Sequence, residues 1–131
     1  MPLRVTLKKR AILRGYQAFS SVLSKGKSLQ TGIIRCYYLV SAGKGTGVQA
    51  GFTVSRTIHQ PAARNRLRRL MKEAYRLNRR ILFESGNQTT GTIRLVFMCT
   101  PGAEGHSKRL TYESVERPIV TLLTEVHRQL S

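Results

Sequence analysis

The feature that most constrains the fold is a helical hydrophobic period in the middle of the chain. Apolar residues recur there at spacings of three and four, which predicts an amphipathic helix with one buried stripe. The stripe consists of Leu67, Leu70, Met71, Ala74, Leu77 and Ile81. Pro61 suits a first helical position, and Gly86 suits a left-handed cap after the last turn. A helix over residues 61–83 is roughly 35 Å long at the usual rise per residue.

The remaining faces of this predicted helix are strongly cationic. Residues 64–76 include six cationic side chains and a single acid, Glu73. Ordinary surface helices pair opposite charges four residues apart and avoid like charges at that spacing. Here cations follow one another at that interval, namely Arg68, Lys72, Arg76 and Arg80. Because a polyanionic partner relieves such repulsion, the pattern favours a nucleic-acid-binding helix over a solvated face.

The charge of the whole chain is unevenly distributed. The 131 residues, enough for a single domain over residues 1–131, have a formal net charge of +17. Residues 1–83 hold 18 of the 23 basic residues and one of the six acids, whereas residues 84–131 are neutral. Such a one-sided excess is typical of a nucleic-acid-binding surface.

A membrane surface also attracts cations, but the sequence favours it less. No apolar run approaches the ~20 residues that span a bilayer, and residues 1–10 lead into no signal-peptide core. The apolar stripe of the basic helix has ordinary core width and lacks Trp. Cys36 and Cys99 lie in strand-like segments, which predicts buried, reduced thiols in a cytoplasmic protein; a single disulfide stays open as an alternative.

The other periodic segments predict an α+β fold. Residues 1–9 are expected to form an irregular basic arm, residues 13–23 a short helix, and residues 32–41, 48–55 and 92–99 three strands. A final helix follows residue 111, kinked or delayed by Pro118. Residues 42–47 are Gly-rich but lack phosphate-loop spacing, so a hairpin loop is expected. The order αββαβα indicates a compact two-layer α/β sandwich in which one sheet packs on helices.

The sequence contains few of the residue groupings that catalysis requires. The chain has no Asp, and its six Glu lie mostly in predicted helix faces or loops, so a two-metal nuclease centre is not expected. Its three His share no metal-ligand spacing with each other or with the two Cys, and neither Cys has the setting of a nucleophile. Recognition of a nucleic-acid partner therefore remains as the expected function. Phe19 on the first helix and Tyr37 on the polar face of the first predicted strand are candidate stacking platforms for bases, with core packing as the alternative for Phe19.

Several segments together resemble the protein subunit of bacterial ribonuclease P. The resemblance covers nearly the whole chain and is most specific in the central block that begins with Arg64, Asn65 and Arg66. The other matching segments are residues 7–10, 19–26, 51–55, 100–101 and 110–113.

The resemblance implies a sheet with helices on one side and a left-handed βαβ crossover that carries the basic helix. It also implies that a partner, ribonuclease P RNA, holds the catalytic Mg²⁺ ions and removes the leader of precursor tRNA. The protein would bind that RNA and hold the single-stranded leader in a cleft between the sheet and the first helix. It is not expected to cleave alone, and no organic cofactor, membrane or small-molecule substrate is implied.

Specific residues follow from the resemblance. Phe19 and Tyr37 match aromatic positions of the leader cleft, and Arg56 matches a basic position after the second predicted strand. The RNA-binding helix is matched by Arg64, Asn65, Arg66, Arg68, Arg69 and Lys72, with Arg76 continuing the same row. The chain departs from the family pattern at Leu23, Thr57, His59, Gln60 and Cys99, which puts leader affinity and preference in doubt more than the helix assignment.

Two other functions fit part of the pattern. A structural RNA-binding protein, such as a ribosomal protein or RNA chaperone with no role in cleavage, fits the charge and the basic helix equally well. A duplex DNA-binding module fits less well because no recognition-helix pair or dimer pattern is present.

Overall fold

The computed structural model describes residues 12–41, 46–86, 91–100 and 111–130. The predicted basic arm and most of the Gly-rich loop lie outside these ranges. The elements in chain order are α1 (Tyr16–Lys25), β1 (Lys27–Thr31), β2 (Ile34–Ser41), β3 (Thr46–Val54), α2 (Pro61–Asn78), a 3₁₀ helix (Arg79–Gly86), β4 (Gly91–Cys99) and α3 (Tyr112–Leu130).

The four strands form one mixed sheet in the order β1-β2-β4-β3. The β1/β2 and β2/β4 pairs are antiparallel, whereas β3 and β4 are parallel, with Val48 opposite Ile93. The parallel pair requires a crossover, which α2 and the 3₁₀ helix supply. The predicted α+β sandwich with a βαβ unit around the basic helix is therefore confirmed, while the left-handed sense of that connection stays a prediction.

The predicted order αββαβα lacked one strand, β1. This five-residue strand pairs with β2 and places Leu29 opposite Cys36. Its other residues are polar, and it begins two residues after α1 ends. An edge strand with a single apolar residue has no period-2 pattern to detect, so the observed order is αβββαβα.

The main core lies between the sheet and helices α2 and α3. Because side chains alternate along strands, Phe52 and Phe97, which are directly opposite in the register, both face this core. Tyr75 of α2 packs on both rings, with all three centroid separations at 5.8 Å. Burial of these large rings fixes the position of α2 on the sheet.

Helix α1 packs on the opposite face of the sheet. Its Val22 is fully buried against Leu13 and Val96, and Tyr37 packs at the margin of the same cluster. Val96 and Tyr37 alternate with residues of the main core, so they face away from α2 and α3. The expectation that all helices lie on one side is therefore wrong for α1. The predicted two-layer sandwich describes the sheet with α2 and α3, and α1 covers part of the other face.

The helix boundaries and the buried stripe of α2 also differ from the prediction. Helix α1 begins at Tyr16, because Leu13 donates its N–H to the Ala50 carbonyl (2.9 Å) along the edge of β3. In α2 the buried side chains are Leu67, Met71, Ala74 and Tyr75. Leu77, predicted to be buried, is 45% exposed. The α-helix ends at Asn78 and continues as the 3₁₀ helix, and α3 runs through Pro118 from Tyr112 without a delayed start.

Candidate RNA interface

The outer face of α2 presents a group of exposed cations. Arg66, Arg69 and Lys72 are exposed, and Arg68 is half-buried beside them. These side chains project from a rigid helix whose opposite side is buried against Phe52 and Phe97. The structure therefore confirms the placement of these cations on one polar side of a helix. Their contact with RNA stays a prediction.

Arg64 holds the loop that precedes α2. Its Nη1 donates to the carbonyl oxygens of Ser55 (2.9 Å) and Ile58 (3.2 Å), and the residue is half-buried. Ile58 is buried in the main core, so this contact closes the loop onto the first turn of the helix. Arg64 was predicted only as an RNA ligand, and the structure gives it a folding role that the sequence did not reveal.

Two other predicted RNA-binding arginines have acceptors within α2. Arg68 donates from Nη2 to the Asn65 side-chain oxygen (3.1 Å). Arg76 forms an ion pair with Glu73, and its hydrogen bonds lower the pKa of Glu73. The same bonds raise the pKa of Arg76. The charge of Arg76 is partly engaged by this acid, so Arg76 is the least available of the predicted cations.

The loop between β3 and α2 places another predicted cation at the start of the helix. Arg56 is exposed in the turn that follows β3. The neighbouring Ser55 and Thr57 are linked by their hydroxyl oxygens at 3.1 Å, and Thr57 donates its N–H to the Ser55 Oγ (3.3 Å). This local bonding orders the turn in which Arg56 is exposed.

The predicted aromatic residues pack against one buried cluster beneath α1. The Phe19 ring lies directly on β3, where a Cβ added to Gly51 would come within 2.3 Å of its Cζ. Glycine is therefore required for this close approach. Tyr37 packs in the same cluster as Phe19 around the buried Val96. The structure thus brings both residues to one cleft between α1 and the sheet.

Two polar residues of this cleft were not predicted as site residues. Arg35 donates to the Tyr37 hydroxyl oxygen (3.4 Å) and, through Nη2, to the Gln30 side-chain oxygen (2.7 Å). Arg35 was detectable, because it lies two residues before Tyr37 on the same strand face. Gln30 was not, because it lies on the unpredicted β1, opposite Arg35 in the register.

The remaining reactive groups have structural partners. Each glutamate with a described side chain accepts a hydrogen bond: Glu73 from Arg76, Glu113 from Arg117, Glu116 from Tyr112 and Asn78, and Glu125 from Arg128. In the described ranges, no group of three His, Cys or acidic side chains is placed so that it could hold a metal ion.

Both cysteines are buried and free. Burial raises the pKa of the Cys99 thiol to about 11 and that of Cys36 further. The prediction of buried, reduced thiols is therefore confirmed. Among the described helices, none combines the length and the apolarity that crossing a bilayer requires.

Comparison with known proteins identifies the family. The family model described as Ribonuclease P matches residues 7–126. The chain belongs to the ribonuclease P protein family. The ribonuclease P protein component of Alkaliphilus metalliredigens is 31% identical over 114 residues, which are 87% of this chain and 91% of that protein. That of Clostridium novyi is 28% identical, over 89% of this chain and 94% of that protein.

Solved structures of the family share the fold. The ribonuclease P protein of Thermotoga maritima matches with a TM-score of 0.68 at 21% identity, over 87% of this chain and 96% of that one. The Staphylococcus aureus protein matches with a TM-score of 0.66 at 12% identity, over 92% and 98%. Membership of the ribonuclease P family makes the chain a subunit of an endoribonuclease, with RNA binding and tRNA processing as its biological context.

Proposed function

We propose that the chain binds the catalytic RNA of ribonuclease P through α2 and the single-stranded leader of precursor tRNA through the cleft beneath α1. The observation that carries this proposal is the placement of two different surfaces around β3. One is the cationic outer face of α2, and the other is the aromatic cleft that Phe19 and Tyr37 line.

The cations of α2 fit a folded RNA. Arg66, Arg69 and Lys72 are exposed and have no protein acceptor within the described part of the chain, so phosphates can reach them. A rigid helix presents these charges at fixed spacing, which limits the entropy lost on binding. About six phosphate contacts give a log–log salt slope near −4 on the scale of single strands. The same slope is expected of any RNA-binding protein, so salt dependence supports binding but not cleavage.

The cleft beneath α1 fits an unpaired strand. Phe19 and Tyr37 offer ring faces for base stacking, which contributes ~1–3 kcal/mol per base. Arg35 holds the Tyr37 hydroxyl and lies on the same strand face, where its guanidinium can also attract a phosphate. A mature tRNA lacks the leader, so the cleft gives a physical basis for preferring precursor over mature tRNA.

The catalytic Mg²⁺ ions are assigned to the partner RNA. The described glutamates accept hydrogen bonds from neighbouring side chains, and no three His, Cys or acidic side chains of the described residues converge, so this donor set does not fit an Mg²⁺ site with several carboxylate ligands. In this proposal the chain contributes cations that reduce repulsion between RNA and substrate. Cleavage therefore requires less Mg²⁺ when the protein is present.

Reconstitution with a bacterial ribonuclease P RNA tests the proposal. We expect the protein to raise the rate of leader removal from precursor tRNA at low Mg²⁺ and to cleave nothing without the RNA. A structural RNA-binding protein is instead expected to bind the RNA and leave this rate unchanged. Absence of stimulation at every protein ratio would exclude the proposed role.

Two sets of variants separate the surfaces. Arg68→Ala combined with Lys72→Ala should weaken assembly with the RNA, because it removes two cations of α2. Tyr37→Ala should mainly reduce the preference for precursor over mature tRNA, whereas Tyr37→Phe, which keeps the ring, should retain it. If Tyr37→Ala weakens binding of both tRNAs equally, Tyr37 does not contact the leader.

A further inference from the structure

A cavity at the edge of β3 joins the two proposed RNA-binding surfaces. Its volume is about 240 Å³. The lining residues are Ile12, Leu13, Phe19, Gly51, Phe52, Arg68, Arg69 and Lys72. Five of these eight are apolar or glycine, and the other three are cations of α2. Among the residues that the structure describes, none that lines the cavity is acidic.

The cavity adjoins the leader cleft and shares Phe19 with it. Adjacent residues of a strand face opposite sides of the sheet, so Gly51 faces α1 and Phe52 faces α2. The Phe19 ring sits on Gly51 and forms a wall between the two spaces. Tyr37 and Val96 lie in the cluster beneath α1 and do not line the cavity. Ile12 closes the outer side, where it bridges Ala50 along the edge of β3.

The size and chemistry of the cavity fit one nucleotide. An apolar cavity of about 150 Å³ accommodates benzene, so about 240 Å³ accommodates a nucleobase. The apolar lining would receive the base, with Phe19 and Phe52 supplying aromatic surface. The guanidinium groups of Arg68 and Arg69 and the ammonium of Lys72 would receive the phosphates on either side.

From this arrangement we propose that the cavity holds one unpaired, flipped-out nucleotide of the catalytic RNA. The inference rests on the proposed function. The catalytic RNA is favoured over the leader because every charged residue that lines the cavity in the described part of the chain belongs to α2, the helix assigned to that RNA. An inserted base would add recognition of one base to the orientation that the phosphate contacts of α2 supply.

The test probes the Watson–Crick edges of all four bases with dimethyl sulfate and a carbodiimide. It compares the catalytic RNA without protein and the same RNA in the holoenzyme, both without tRNA. We expect one unpaired base to be protected when the wild-type protein binds. The variant Ile12→Trp fills the cavity while keeping every cation, so this base should become reactive again. The RNA affinity should fall about tenfold, near the low end of the contribution of one stacked base.

Matched variants control for folding and for added bulk. Val40→Trp adds the same indole at a 36% exposed position outside the cavity and should leave both protection and affinity unchanged. The native chain has no Trp, so indole fluorescence in each variant reports its folding and its exposure to solvent. Ile12→Phe provides a smaller filling side chain and should act in the same direction.

The outcomes are distinct. If the wild-type protein neither binds nor stimulates the RNA, the proposed function fails. If it stimulates cleavage but protects no unpaired base, or if the base stays protected when Ile12→Trp folds with a buried indole, the cavity assignment alone is overturned. When precursor tRNA is added in a second probing experiment, a base protected only in its leader also overturns the cavity assignment.

Discussion

Replacement of Arg64 should destabilise the free protein, even though this residue begins the motif predicted to bind RNA. Its Nη1 donates to two backbone carbonyl oxygens, those of Ser55 and Ile58. In Arg64→Ala both acceptors lose a charged donor, and the loop that seats the buried Ile58 loses its attachment to α2.

The size of the effect follows from the geometry. A hydrogen bond to a charged group contributes about 1.5–3 kcal/mol to stability. One Arg64 nitrogen donates to both carbonyl oxygens, and Arg64 is half-buried. We therefore expect the free energy of unfolding to fall by about 2 kcal/mol, which is less than the sum of two separate hydrogen bonds to a charged group. For a domain of this size, that corresponds to a decrease in Tm of roughly 6–8 °C.

Urea unfolding, followed by circular dichroism without RNA, measures the change directly. Arg66→Ala is the matched control because Arg66 carries the same charge, lies in the same helical turn and is exposed. Both substitutions remove a cation near the helix N-terminus, so the helix-dipole contribution largely cancels. We expect Arg66→Ala to change stability by about 0.5 kcal/mol or less. Equal urea midpoints for the two variants would refute the role assigned to Arg64.

Three further predictions concern stability and the cleft. Tyr75→Phe should raise the free energy of unfolding by about 1 kcal/mol, since the buried Tyr75 hydroxyl has no hydrogen-bond partner among the described residues; a lower urea midpoint would contradict this. Gly51→Ala should displace Phe19 and cost about 1–3 kcal/mol, with reduced preference for precursor tRNA; unchanged unfolding and discrimination would show that the ring relaxes freely. Burial raises the Cys99 pKa from 9.0 to about 11, so the native state retains this proton and stability should fall as pH rises through that range. The pH dependence of the urea midpoint should flatten in Cys99→Ala, and identical slopes would exclude the thiol as the cause.

The sequence was sufficient to locate α2 but not to determine which of its neighbouring residues is buried. Leu77 lies at one edge of the predicted stripe and Tyr75 lies just beyond the other edge, and period alone permits either edge to face the core. Packing of the Tyr75 ring against Phe52 and Phe97 selects one rotation and leaves Leu77 exposed. Long-range contacts of this kind are not encoded in the spacing of residues within one helix.

The sequence predicted which residues form the site better than it predicted their hydrogen-bond partners. The exposed cations on α2 follow from the helical period, whereas the shared location of Phe19 and Tyr37 was implied by the family resemblance. The acceptors of Arg64 are backbone carbonyls, which carry no side-chain signal in a sequence. The Arg35 bond to Gln30 depends on the register of β1, whose polar residues gave no strand pattern.

In the sequence, like charges four residues apart on α2 favour a nucleic-acid partner. In the structure, this spacing is weaker evidence for such a partner. Like-charged pairs four residues apart cost roughly 0.2–0.5 kcal/mol each, so a few such pairs cost about as much as the Arg64 contact provides. Along the row of cations at intervals of four, Arg64, Arg68 and Arg76 each have a protein acceptor. The free protein therefore needs no polyanion to fold. What indicates the partner is the group of exposed cations Arg66, Arg69 and Lys72, which contribute charge to α2 but form no hydrogen bond or ion pair within the described part of the chain.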